Sequence, residues 1–194
     1  MKLTLIRHGI TEGNAKRLFY GAADISLAQE GIDTLHAMKE THCYPTAARY
    51  YTSGMLRTEQ TFAILYGDTP HTVIPELHEM DFGIFEMRPE SELMQDPVFL
   101  KWGTEGDVEE NICPGGESFR QMDARVAAAI APVLASEEDA VCVIHGGVTD
   151  SIMELLFPSE EYKRYYRAPE PGHGYQITFE NGKAVSYVPV PFKK

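Results

Sequence analysis

The chain has 194 residues, 43% of them hydrophobic, and a formal net charge of −12. That length fits one domain with a sizeable core. The acidic surplus argues against nucleic acid as a partner, because phosphate backbones are met by a basic footprint.

An anionic substrate would have to be drawn by a local cluster of cations. No apolar run approaches the roughly 18 residues of a membrane span, so no membrane partner is expected. The stretch before Arg7 is too short for a signal peptide. Cys43, Cys113 and Cys142 are odd in number and lack C-x-x-C spacing, which fits a reducing cytoplasm.

Leu3, Leu5 and Ile6 read as a short buried strand that stops on Arg7-His8-Gly9. In open α/β sheets, ligands bind outside the carboxyl ends of strands. Histidine serves as nucleophile, base or metal ligand. A neighbouring Arg keeps its charge and suits phosphate or carboxylate, so the pair favours an anion over a metal. Leu18-Phe19-Tyr20-Gly21 reads as a loop near this end. Ser26 and Gln29 fit a capping box before a helix through Leu27, Ile32, Leu35 and Met38. Arg49 to Thr52 is a strand candidate, and Ser53-Gly54 opens a helix with Arg57 in its first turn. His71 to Ile74 reads as another strand.

Glu86 to Pro114 is the least regular stretch, rich in acids, Gly and Pro. It reads as an insertion at about 86–117 with one or two short helices. A lid and a surface excursion packed by its own aromatics both fit. Ser118 and Gln121 make a second capping box, followed by Phe119, Met122, Val126, Ile130 and Val133 at helical spacing. Ala140 to Ile144 is a fully apolar run, as in a buried parallel strand, and ends on His145-Gly146-Gly147. Val148 to Phe157 reads as a helix. Tyr175 to Phe179 and Ala184 to Val188 form a hairpin with Asn181-Gly182 in the turn. Strands alternating with helices imply an α/β fold in three layers, a mixed and mostly parallel sheet flanked by helices. The first strand would be central and the hairpin at an edge.

Arg7-His8-Gly9 with Thr11, Asn14 and Gly21 resembles the opening signature of the histidine phosphatase superfamily, in its phosphoglycerate-mutase-like branch. The resemblance runs along nearly the whole chain. It includes Asp24-Ile25-Ser26-Leu27 with Gly31, Ser53 to Thr61 around Arg57, and Leu77 to Glu86 around Glu79. It continues through Pro114 to Ser118 and Val143 to Val148 around His145. Six matches in order are far more specific than any one alone.

The resemblance implies that fold and a phosphohistidine chemistry without metal or other cofactor. His8 would be the nucleophile. Arg7 and Arg57 would clamp the phosphoryl oxygens and His145 would be a further donor. Thr11, Asn14 and Gly21 would line the phosphate pocket, and Gly146 would let backbone approach at a helix N-terminus. Glu79 would be the proton donor, with Phe82 and Phe85 as its apolar neighbours. On spacing alone Asp81 and Glu86 are rivals. His36, His42, His71, His78 and His173 read as structural or surface.

Family members divide mainly into mutases and phosphatases. Between Met87 and Ser118 only Arg88 and Lys101 face a crowd of acids. That does not favour a doubly anionic phosphoglycerate. The expectation is a phosphatase of a small phosphorylated metabolite, its other half neutral or apolar, resting on Phe19, Tyr20, Phe85 or Trp102. Phosphoglycerate mutase-type transfer is the alternative, and a non-catalytic phosphate-binding regulatory module is another.

Overall fold

The computed structural model describes residues 1–161 and 163–194. In chain order it contains β1 (Lys2–Arg7), α1 (Glu12–Ala15), β2 (Leu18–Phe19), α2 (Gln29–Thr41), β3 (His42–Cys43), β4 (Arg49–Thr52) and α3 (Leu56–Tyr66). There follow β5 (Thr72–Val73), β6 (Arg88–Pro89), α4 (Glu90–Leu93), α5 (Pro97–Thr104) and α6 (Phe119–Ala135). The chain closes with β7 (Ala140–Ile144), α7 (Gly146–Leu156), β8 (Gly174–Glu180), β9 (Lys183–Val190) and β10 (Phe192–Lys193).

Six strands form one sheet in the order β5-β4-β7-β1-β8-β9. The first four are mutually parallel, and β8 and β9 join antiparallel. So β1 is internal and the hairpin lies at the edge. Side chains of a strand alternate between faces, and the core divides accordingly. Leu3, Leu5, Cys142 and Ile144 pack on the face that carries α6 and α7. Ile6, Val141 and Val143 pack on the face covered by α2 and α3. Asn181 and Gly182 turn the hairpin at φ 50° and 73°, the left-handed pair that a two-residue turn requires. Among the described residues, no helix is long and apolar enough to cross a membrane.

The capping box at Ser118 and Gln121 forms as expected. The one at Ser26 and Gln29 does not, and α2 begins at Gln29 after an uncapped Ala28. The preceding residues are drawn elsewhere. The Leu27 N–H donates to Gln60 Oε1 and the Ala28 N–H to the Ile10 carbonyl. Likewise α3 starts at Leu56, because Gly54 turns at φ 78°. Leu18 and Phe19, expected as loop, pair with Arg88 and Pro89.

The 86–117 segment holds two short helices, and it is stitched into the core. Leu93, Trp102 and Cys113 are buried in the larger cluster. Trp102 contacts Phe85, Phe99 and Phe119 ring to ring. Its Nε1–H donates to the Asn111 carbonyl at 3.0 Å.

Candidate active site

The register of the sheet creates the site. Arg7 lies opposite Ile144 on β7, and Thr52 of β4 lies opposite Val143. The residues that follow, His8, Ser53 and His145, therefore emerge together at the carboxyl ends of three parallel strands. The rings of His8 and His145 are 5.2 Å apart, centroid to centroid. Beside them opens a cavity of about 340 Å³, lined by Arg7, His8, Asn14, Arg57, Glu79 and Gly146 among others.

His8 is 3% exposed. Its Nδ1 lies 2.8 Å from the Gly9 carbonyl. A carbonyl only accepts, so Nδ1 carries the proton and Nε2 keeps its lone pair. Burial first, and then the charges of Arg57 and Arg7, push the His8 pKa well below 6.5. The imidazole is neutral at physiological pH. The same causes, burial before Arg57, keep His145 neutral.

Arg57 is fully buried, on the first turn of α3. Its Nη1 donates to the Ala23 carbonyl at 2.8 Å and its Nη2 to the Gly21 carbonyl at 2.6 Å. Arg7 donates through Nη1 to the Pro169 carbonyl at 2.9 Å. Arg7 Nε, Arg57 Nε and His145 Nδ1 are buried and have no hydrogen-bond partner among the described residues. Leaving a buried polar group unmatched costs about 1–3 kcal/mol. Arg7 and Arg57 line the cavity, whereas His145 is fully buried and lies behind that lining, next to Gly146.

The Glu79 carboxylate sits at the start of α7. Oε2 accepts the Gly147 N–H at 2.9 Å and Oε1 accepts the Met80 N–H at 3.1 Å. A Cβ at position 147 would lie 2.5 Å from Glu79 Oε1, so glycine there lets the carboxylate reach the helix. Its rivals are occupied elsewhere. Asp81 Oδ1 accepts the Gly83 N–H. Glu86 accepts four backbone N–H groups, from Gly21, Ala22, Ala23 and Phe82.

Two expected pocket residues, Thr11 and Gly21, lie outside the cavity lining. Thr11 is fully buried. It caps α1 and bonds Asn14 Oδ1 and the Tyr20 hydroxyl. Those bonds engage Asn14 Oδ1, leaving its amide NH2 as the free donor. Gly21 is also outside the lining. A Cβ there would meet the Met80 carbonyl at 1.9 Å, and its own carbonyl holds Arg57. Phe85 and Trp102, expected against substrate, pack in the core. Phe85 is therefore also no neighbour of the cavity, whereas Phe19, Tyr20 and Phe82 line it.

Sequence reading passed over Tyr165 and Glu90, which line the cavity too. Tyr165 stands at φ 64° on a segment strapped down by Arg164. That arginine pairs with Asp123 and Glu109 and lies over the Phe119 ring. The only sequence signal was an aromatic, basic run after α7.

A neutral imidazole with a free Nε2, two guanidinium groups and a carboxylate thus meet at one cavity beside the carboxyl ends of the parallel strands, an arrangement suited to an anion. The family model of the histidine phosphatase superfamily (branch 1) matches residues 3–186, and the chain belongs to that family. It is 31% identical over 165 residues to the adenosylcobalamin/alpha-ribazole phosphatase of Escherichia coli, covering 80% of this chain and 79% of that one. The alpha-ribazole phosphatase of Shigella flexneri superposes with a TM-score of 0.85 at 26% identity, over 100% of this chain and 96% of the other. A phosphoglycerate mutase of Bacillus anthracis shares the fold, with a TM-score of 0.78 at 19% identity over 95% and 90% of the two chains. The fold is thus phosphoglycerate mutase-like, and the protein is a phosphatase enzyme.

Proposed function

We propose that this phosphatase hydrolyses a small phosphate monoester through a phosphohistidine on His8. The observation that carries the reading is the trio of unpartnered buried nitrogens on Arg7, Arg57 and His145, set around a histidine whose Nε2 is free. Nε2 attacks phosphorus, and the ester oxygen departs. Glu79 gives that oxygen a proton and then takes one from the water that opens the phosphohistidine. Arg7, Arg57 and His145 hold the equatorial oxygens as charge spreads over them. Asn14 and the first turn of α7 at Gly146 add donors. This set requires no metal.

The rest of the cavity suits a neutral or apolar leaving group. Leu18, Phe19, Tyr20, Phe82 and Tyr165 line it, and Glu90 adds a negative charge. The two cations of the 86–117 segment are spoken for. Arg88 pairs with Glu92 at 2.6 Å and Asp96 at 2.7 Å, and Lys101 pairs with Glu105. A second anionic end, as in phosphoglycerate, finds no partner among them. A ribazole phosphate belongs to the class the cavity suits, as do other nucleoside-like monophosphates.

The test is hydrolysis of p-nitrophenyl phosphate with and without EDTA, by wild type and His8→Ala, followed by a panel of ribazole, nucleoside and sugar phosphates and phosphoglycerate. The expected result is EDTA-resistant turnover that vanishes in the variant. Activity that survives His8→Ala overturns the nucleophile assignment. Phosphoglycerate turned over robustly while the others are ignored overturns the substrate class.

A further inference from the structure

One buried side chain beside the site has no part in the chemistry above. Ser53 is 4% exposed and directly follows β4. Its Oγ lies 2.8 Å from His145 Nε2 and 3.1 Å from Thr58 Oγ1. Thr58 Oγ1 in turn lies 2.7 Å from the Met55 carbonyl. The other ring nitrogen of His145, Nδ1, is the one without a partner.

A neutral imidazole has one N–H, and the partner of one nitrogen decides where it sits. Two arrangements satisfy this chain of groups. In one, Thr58 donates to the Met55 carbonyl, Ser53 donates to Thr58, and His145 donates from Nε2 to Ser53. Nδ1 is then a bare lone pair, which repels a phosphoryl oxygen. In the other, Thr58 donates to Ser53 and Ser53 donates to Nε2. The proton is then on Nδ1, which becomes a donor.

We propose that Ser53 is a positioning residue that fixes the tautomer of His145, presenting Nδ1–H to the phosphoryl group when an oxyanion is bound. The inference rests on the phosphate-site reading of the preceding subsection. It goes further by assigning the serine that makes a neutral His145 a donor. Without that hydroxyl, His145 offers Nδ1–H reliably only as an imidazolium, a form that burial and the two arginines oppose.

The experiment is nitrogen NMR of histidine-labelled protein with and without orthovanadate, on wild type, Ser53→Ala and Ser53→Thr. In vanadate-bound wild type, His145 should show a protonated Nδ1 and an unprotonated, hydrogen-bonded Nε2. Ser53→Ala should lose that pattern and bind vanadate roughly tenfold more weakly, with the deficit growing as pH rises. Ser53→Thr, which keeps the hydroxyl, should restore the pattern. A wild-type complex with the proton on Nε2, or a Ser53→Ala protein with an unchanged His145 pattern, overturns the proposal while the site reading stands. Vanadate that moves neither His8 nor His145 overturns the site reading, and the proposal with it.

Discussion

The carboxylate of Asp150 accepts the backbone N–H of Tyr165 at 2.8 Å, and its second oxygen accepts that of Arg167 at the same distance. Asp150 is fully buried on α7. Tyr165 adopts φ 64°, a conformation that costs a residue with a side chain about 1–3 kcal/mol. The carboxylate holds that conformation in place, and with it the aromatic face of the cavity.

Asp150→Ala should therefore loosen the wall and leave untouched the residues proposed to bind the phosphoryl group. Steady-state kinetics on a monoester with a large leaving group should show KM rising several-fold while kcat falls less. Asp150→Asn, which retains one acceptor, should be milder. A loss confined to kcat would contradict the role given to this strap.

Glu79→Gln should separate substrates by their leaving groups. An alkyl phosphate needs a proton on the departing oxygen, and its hydrolysis should slow by about 10²- to 10⁴-fold. Nitrophenolate leaves readily without one, so p-nitrophenyl phosphate should lose less in the step that forms phosphohistidine. Pre-steady-state release of nitrophenolate would reveal this as a burst.

Gly147→Ala is a probe of the carboxylate's seat. The new methyl would press on Glu79 Oε1 at 2.5 Å and on the Tyr165 ring at 2.9 Å. Alanine is otherwise favourable in a helix. The variant should fold with near wild-type stability by denaturant titration, yet turn over at least tenfold more slowly.

The two central histidines make stability depend on pH. Both have folded pKa values depressed below 6.5, chiefly by burial and next by Arg57. The unfolded chain takes up their protons near pH 6.5 and the folded chain does so only at lower pH. Their contribution is therefore complete above about 6.5 and is lost as pH falls toward the folded values. The slope is up to about 1.4 kcal/mol per pH unit for each histidine. Denaturant melts at pH 7 and pH 5.5 should show the drop, and His145→Asn should flatten it.

The layers were legible because they follow from strong local patterns, whereas Arg7, His8, Arg57, Glu79 and His145 stood out only through the ordered run of family-like motifs. Ala140 to Ile144 and the Phe119 to Val133 stripe allow one reading each. The misreadings arise where a distant partner overrides the local cue. Ser26 and Gln29 carry the same letters as Ser118 and Gln121. The Leu27 and Ala28 amides, however, are claimed by Gln60 and Ile10, far away in sequence. Phe85 and Trp102 look alike from sequence to Phe19 and Phe82, and only packing assigns the first pair to the core. Asp150, between Thr149 and Ser151, gives no hint that its partners lie on the segment 15 and 17 residues later.

Glu86 gathers the amides of residues 21, 22 and 23, which turns the carbonyls of Gly21 and Ala23 onto Arg57. A free arginine side chain surrenders up to about 2 kcal/mol of rotational freedom when it is pinned. Here that freedom is given up once, as the chain folds, and not afresh with each substrate that arrives. An acidic residue thus serves an anion-binding enzyme by freezing its cation in advance. Glu86→Gln should accordingly make phosphate capture slower and entropically less favourable, a difference that calorimetry reads directly.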